Sequence, residues 1–186
     1  MPYLYVLFSR SDTWFSSLIY RFSPGEYTHA ALALDRDLQN LYSFGRYHSR
    51  LPLPAGFVAE NVHTGVYGRC GSSTCRVCRV TVSETGYRRV EKIIGYMQSL
   101  SGYYHYNLFG VAMCALEIPC KRKARFFCSQ FVAEMLDRAE AVKLPKPANL
   151  MRPGDLLDLP EMETIYEGPL CTCDWTWELP AICAAI

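Results

Sequence analysis

The chain has 186 residues and a formal net charge of +1, with half of its residues hydrophobic and a fifth charged. That balance fits one folded domain over residues 1–186 and excludes a disordered polyelectrolyte. It also removes any global electrostatic reason to expect nucleic acid or a membrane as partner.

In chain order, Tyr3–Phe8 is a short β-branched and aromatic run that reads as a strand. Ser11 or Asp12 offers an N-cap for an amphipathic helix through Trp14, Phe15, Leu18, Ile19 and Phe22, closed by Ser23-Pro24-Gly25. Tyr27–Asp35 follows as a strand. Its alternation places Thr28, Ala30, Leu32 and Leu34 on one face and His29, Ala31, Ala33 and Asp35 on the other. The small side chains of the second face suit close approach of a helix beside the imidazole. A charged turn leads to Leu41–Gly45, an antiparallel hairpin partner.

After a Pro- and Gly-containing loop at 51–56, Phe57–Glu60 and Arg76–Val82 read as strands, with a glycine-rich stretch at 65–73 between them. Ser83–Leu100 is a clear helix with Val90, Ile93, Ile94 and Met97 on its apolar stripe. Gly102–Asn107 reads as an aromatic loop or turn that closes the core. A short helix at Leu108–Leu116 and a longer one at about 126–141 follow, then a turn at Gly154–Leu157 and a last strand at Thr164–Glu167. Residues 168–186 form a Cys- and Trp-containing tail without a clear place. Helices and hairpin-joined strands segregate, so the class is α+β with an antiparallel sheet.

No apolar run approaches the roughly 20 residues of a membrane span. Residues 1–8 lack the basic start and long apolar core of a secretory signal. The expected compartment is the cytoplasm, with the nine cysteines mostly reduced thiols. Nothing resembles a phosphate-binding glycine loop or a basic stripe with interleaved aromatics, so no nucleic-acid partner is expected.

The chemistry centres on Arg125-Phe126-Phe127-Cys128-Ser129-Gln130-Phe131-Val132. Cys128 opens a helix whose apolar positions are Phe131, Val132, Met135, Leu136 and Ala139, so the thiol sits in the first turn. There, unpaired amides and the helix dipole favour a thiolate. A nucleophilic thiol needs a base, and His29 on its strand is the candidate. A third group normally orients the ring.

Tyr27–Leu34, Leu41–Gly45 and Phe126–Val132 together resemble the permuted branch of the NlpC-type papain-like superfamily. That branch includes the YaeF/YiiX-like proteins and is related to lecithin retinol acyltransferase. Ordinary NlpC-type enzymes carry the cysteine helix before the histidine strand; here the histidine comes about a hundred residues earlier, as in the permuted branch. The resemblance covers about residues 3–167, including Pro153-Gly154-Asp155-Leu156. It implies a circularly permuted papain-like fold, with the sheet packed against the cysteine helix. It also implies Cys128 as nucleophile and His29 as general base and acid. The third position, often Glu in the family, matches Ser43, and Glu60 on the next strand is a substitute of the right charge.

The implied activity is a cofactor-free cysteine hydrolase that opens an amide or ester through an acyl-thioester. Peptides or lipid amides are the implied substrates, and the amide of Cys128 would form part of the oxyanion hole. The alternatives are an acyltransferase on the same fold and a degenerate domain that binds a ligand or partner.

Cys75-Arg76-Val77-Cys78 has zinc-knuckle spacing, with Cys70, His63 and Cys171-Thr172-Cys173 elsewhere. There is one such spacing where a knuckle needs two, and in a strand Cys75 and Cys78 face opposite sides. The expectation is ordinary thiols and no metal set. His105, among Tyr103, Tyr104 and Tyr106, is a candidate cleft residue, and His48 reads as a solvated loop residue. The basic run Lys121-Arg122-Lys123 reads as a solvated loop.

Overall fold

The computed structural model describes residues 1–10, 27–46, 55–60 and 74–170. The expected first helix at 11–22, His48, His63, Cys70 and the tail from Cys171 lie outside them. The sheet is built from β1 (Tyr3–Ser9), β2 (His29–Ala33), β3 (Leu41–Arg46), β4 (Ala55–Glu60), β5 (Thr74–Thr81), β6 (His105–Tyr106), β7 (Arg125–Phe126) and β8 (Glu163–Pro169). Its order is β7-β6-β4-β3-β2-β1-β5-β8. The pairings are antiparallel except β6 with β7, which run parallel. The described α-helices are α1 (Glu84–Ser99), α2 (Leu108–Ala115), α3 (Cys128–Arg138) and the short α4 (Pro153–Leu157). The class is therefore mixed α+β, as composition and periodicity suggest.

Two apolar layers cover the sheet. On one face Leu4, Val6, Phe8, Ala30, Leu32, Tyr42, Phe44 and Phe57 pack with Phe131, Val132, Met135 and Leu136 of α3 and with Val90, Ile94 and Met97 of α1. The rings of Phe44 and Phe57 lie 5.5 and 5.8 Å from that of Phe131. On the other face Ala31 and Ala33 join Tyr5, Leu7, Leu38, Leu41, Cys75 and Val77.

This corrects one expectation. The cysteine helix packs on the face of Ala30 and Leu32, not on the small-residue face that carries His29. Three phenylalanines supply the volume between helix and sheet there, whereas Ala31 and Ala33 leave a thin layer covered by other segments. A second difference is local. The aromatic loop at 102–107 resolves into a 3-10 turn, Ser101–Tyr103, and the strand β6.

β3 pairs with β4 along its whole length, from Leu41↔Glu60 to Arg46↔Ala55. With β2 it pairs only through Leu32↔Tyr42 and Ala33↔Leu41. The ladder thus opens at the end of β2 where His29 stands.

α1 starts on Ser83, whose hydroxyl accepts the Gly86 N–H at 3.0 Å. At Gly86 the helix crosses the end of α3 so closely that a methyl group would collide with the Ala139 carbonyl and lie 2.8 Å from Val82 Cγ2. Gly86→Ala should therefore destabilise, although alanine gains about 1 kcal/mol of helix propensity over glycine. The backbone collision outweighs that gain, and urea unfolding should show a net loss of about 1–3 kcal/mol. A stabilised variant would mean that the α1–α3 crossing is looser than this geometry.

Candidate active site

Cys128 is the first residue of α3, following Phe127, which offers no side-chain cap. The first-turn amides therefore lack the usual oxygen acceptor, and the sulfur takes that place. It accepts hydrogen bonds from the backbone at Cys128, at Ser129 and at Ala30. The last of these joins two distant parts of the chain. In a strand, one residue's N–H and C=O point to the same side. The Ala30 carbonyl accepts the Ser43 hydroxyl at 2.7 Å, so Ala30 is turned toward β3. Because the ladder is open there, its N–H is left for the thiol.

The same opening sets His29. Its Nε2 lies 3.2 Å from Ser43 Oγ. The single hydroxyl proton of Ser43 is committed to the Ala30 carbonyl, which can only accept. Ser43 therefore accepts from His29, and Nε2 carries the ring proton. Nδ1 is left with the basic lone pair. Gly45 follows on the same face of β3, and a methyl group there would stand 3.8 Å from His29 Cε1. The absence of a side chain keeps room for the ring.

Ser43, not Glu60, is thus the residue the structure brings to His29. Glu60 ends β4 opposite Leu41, at the far end of β3 from Gly45. Among the described residues the sulfur's hydrogen-bond partners are backbone amides and not the His29 ring. The thiol lies beside the strand residue next to His29, without a bond to the imidazole.

Electrostatics correct a further expectation. Helix-terminal amides favour the thiolate, but burial is the larger effect and pushes the Cys128 thiol above its ordinary value. Burial also drives His29 from 6.5 down to about 4, helped by the positive charge of Arg46. At neutral pH the site therefore holds a neutral thiol and a neutral imidazole. A serine behind the ring fixes its tautomer without stabilising an imidazolium, which agrees with the low value.

Cys128 is almost fully buried and lines a small cleft of about 30 Å³ together with Thr28, Tyr106, Val111, Cys114, Arg152 and Pro153, among others. Sequence reading missed Arg152 and had Tyr106 only as one of the tyrosines beside the candidate His105. The pairing of β6 with β7, Tyr106 opposite Phe126, puts the tyrosine two residues from Cys128. Burial raises its phenol well above the ordinary value, so it stays a donor. His105, the neighbouring candidate, faces solvent. The Nε of Arg152 is buried without a hydrogen-bond partner, while the guanidinium bonds the Cys114 side chain and its Nη2 reaches the carbonyls of Cys114 and Ala115 at 3.4 and 3.5 Å. Among the described residues no carboxylate pairs with this guanidinium. Arg152 left no local signal because it enters the cleft through tertiary packing.

Cys75 packs on one face of the sheet and Cys78 on the other, as their spacing in a strand requires. Among the described residues no three His, Cys, Asp or Glu side chains converge on one point. No described helix is long and apolar enough to cross a membrane.

No protein-family model matches the chain, and no curated protein does. A solved structure that it resembles is the crystal structure of the metalloprotein YiiX from Escherichia coli O157:H7, of the group DUF1105. The identity is 15% and the TM-score 0.54, over 88% of this chain and 96% of that one. The likeness at that identity is one of fold, and in fold this chain is YiiX-like. That protein is described as a metalloprotein; the described residues here do not assemble a metal-binding set.

Two half-buried groups, His29 in the site and Glu60 at the far end of β3, oppose each other in their effect on stability. The unfolded chain protonates His29 below pH 6.5 while the fold keeps it neutral to about 4. Stability therefore falls as pH drops through that window, by about 3 kcal/mol at most. Burial lifts Glu60 from 4.5 to about 7, against the pull of Arg46. The fold then holds a proton that the unfolded chain releases, so stability falls as pH rises from 4.5 to 7, by a similar amount, about 3 kcal/mol. Glu60→Gln removes the second effect alone. Urea unfolding should show its stability relative to the unsubstituted chain growing by a few kcal/mol between pH 4.5 and 7. A difference independent of pH would show that Glu60 ionises normally.

Proposed function

We propose that the chain is a thiol hydrolase of permuted, NlpC-type papain-like architecture, which cleaves an amide or ester through a thioester on Cys128. The observation that carries this reading is the placement of the sulfur. It sits at an uncapped helix start, bonded to the amide of the residue beside His29, and lines a small cleft.

In this reading substrate enters the cleft and Cys128 Sγ attacks the carbonyl carbon as His29 Nδ1 takes the thiol proton. Resting hydrogen bonds often form fully only with substrate bound, and in this reading the imidazole has to move to reach the thiol. The carbonyl π electrons move to oxygen, and the oxyanion is met by the Cys128 amide and the Tyr106 hydroxyl. Collapse expels the amine or alcohol, which receives the proton from His29 and leaves the acyl group on sulfur. Water then attacks the thioester, gives its proton to His29, and the acid departs as the thiol is reprotonated. An acyltransferase differs only in the acceptor that replaces water. The guanidinium of Arg152, with no carboxylate partner among the described residues, supports substrates with an anionic group near the scissile bond, peptide or lipid amides that carry a carboxylate or phosphate. The described cysteines Cys78, Cys114, Cys120 and Cys128 are free thiols, which suits a cytoplasmic setting.

A second reading, a binding domain with an idle cysteine, is favoured by one observation. The thiol is raised in pKa and bonded to amides and not to the imidazole.

Acylation of the intact protein by activated esters, followed by mass spectrometry, separates the two. Under the enzymatic reading Cys128 is acylated and turned over. His29→Gln slows this by about 10²-fold or more and Tyr106→Phe by about 10²-fold, and the rate falls on acidification with an apparent pKa near 4. Arg152→Gln should raise KM for anionic esters and leave neutral ones unchanged. Acylation of Cys128 that is indifferent to His29 sinks the enzymatic reading and leaves the binding domain.

A further inference from the structure

Helix α2, Leu108-Phe109-Gly110-Val111-Ala112-Met113-Cys114-Ala115, contains no charged or hydrogen-bonding polar side chain apart from its thiol. A helix apolar on every side is normally buried. This one is buried only through Gly110 and Cys114, while Val111, Cys114 and Ala115 line the cleft. Its outer side and the turn beyond it are open: Leu108, Phe109, Leu116 and Ile118 are 49%, 54%, 63% and 50% exposed. Single exposed apolar residues are ordinary, but two at each end of this helix, with the half-buried Ala112 and Met113 between them, form an apolar surface that calls for an occupant.

The charge beside the patch identifies the occupant. Lys121, Arg122 and Lys123 follow directly and are all exposed, and among the described residues none of them has a carboxylate partner. The Arg122 guanidinium stands 5.8 Å from the ring centre of Phe109, so the cationic and apolar surfaces adjoin. Glu117 is the one acidic residue between 108 and 125. A protein partner would draw specificity from directional polar contacts, which this helix has almost no groups to make. A bilayer asks only for apolar side chains at the depth of the acyl boundary and cations at the level of the phosphates.

We propose that residues 108–123 dock the protein on an anionic lipid surface. Leu108, Phe109, Leu116 and Ile118 enter the interface, and Lys121, Arg122 and Lys123 engage lipid phosphates. The inference stands on the exposed surface and does not require that Cys128 be catalytic. Since the inner side of α2 is a wall of the cleft, docking also brings the cleft beside the bilayer.

Vesicle flotation of the full chain tests this, with pure phosphatidylcholine against phosphatidylcholine mixed with phosphatidylglycerol. The expected result is binding to the anionic vesicles at least about tenfold above the neutral ones, weakening as salt is raised. Phe109→Ser/Ile118→Ser should abolish binding. Arg122→Ser/Lys123→Ser should weaken it by about tenfold or more, at roughly fivefold per charge. All four positions are exposed, so thermal melting should be unchanged. Equal recovery with both vesicle types, or full binding by the Phe109→Ser/Ile118→Ser variant, overturns the proposal. So does a dimer of the unsubstituted chain that this variant converts to monomer, since a second copy then covers the face. Flotation by a protein whose Cys128 resists acylation upholds the docking inference and removes only the enzymatic reading.

Discussion

The candidate site depends on one peptide unit, that of Ala30. Where β2 and β3 stop pairing, Ala30 still faces β3, and its two polar groups need other partners. The carbonyl takes the hydroxyl of Ser43 and the amide takes the sulfur of Cys128. A buried polar group left unsatisfied costs about 1–3 kcal/mol, so the opened ladder recruits these side chains with real force. Through Ser43 the same unit sets the tautomer of His29, and through Cys128 it seats the first turn of α3. A sheet paired to its end would leave neither contact available.

Burial then decides the charge state. The amides around Cys128 favour a thiolate, yet removal from water disfavours both a thiolate and an imidazolium more strongly. The result at neutral pH is a neutral thiol and a neutral imidazole. A carboxylate in the place of Ser43 would push the pair toward ionisation. Serine keeps orientation without that effect, and Glu60 is too far along its strand to supply it.

The α2 segment joins the site to the surface. Its inner side forms one wall of the cleft, and its outer side continues into an apolar and cationic patch. A short helix without polar residues is a poor choice for a merely solvated connection, because its outer side chains gain nothing from water. Arg152 is a polar member of the same wall. Its guanidinium reaches the last carbonyls of α2 and keeps an unpaired buried N–H.

The sequence by itself determined the elements and the candidate pair. Periodicity placed α1 and α3 and their buried stripes, and alternation placed β1, β2, β3 and β5, because these patterns follow from local geometry alone. Cys128 at a helix start and His29 on a strand were legible for the same reason, and Ser43 through resemblance. Only the tertiary structure decided which face of β2 receives α3, since both faces are apolar and volume alone distinguishes them. It alone revealed the open ladder at Ala30, which depends on pairing between strands and leaves no local pattern. Tyr106 and Arg152 reach the cleft through a two-residue strand and a turn, elements too short for periodicity to register. The reversal of the expected thiolate has a similar origin: a helix start can be read from sequence, whereas the depth at which it is buried is set by the packing of the whole chain.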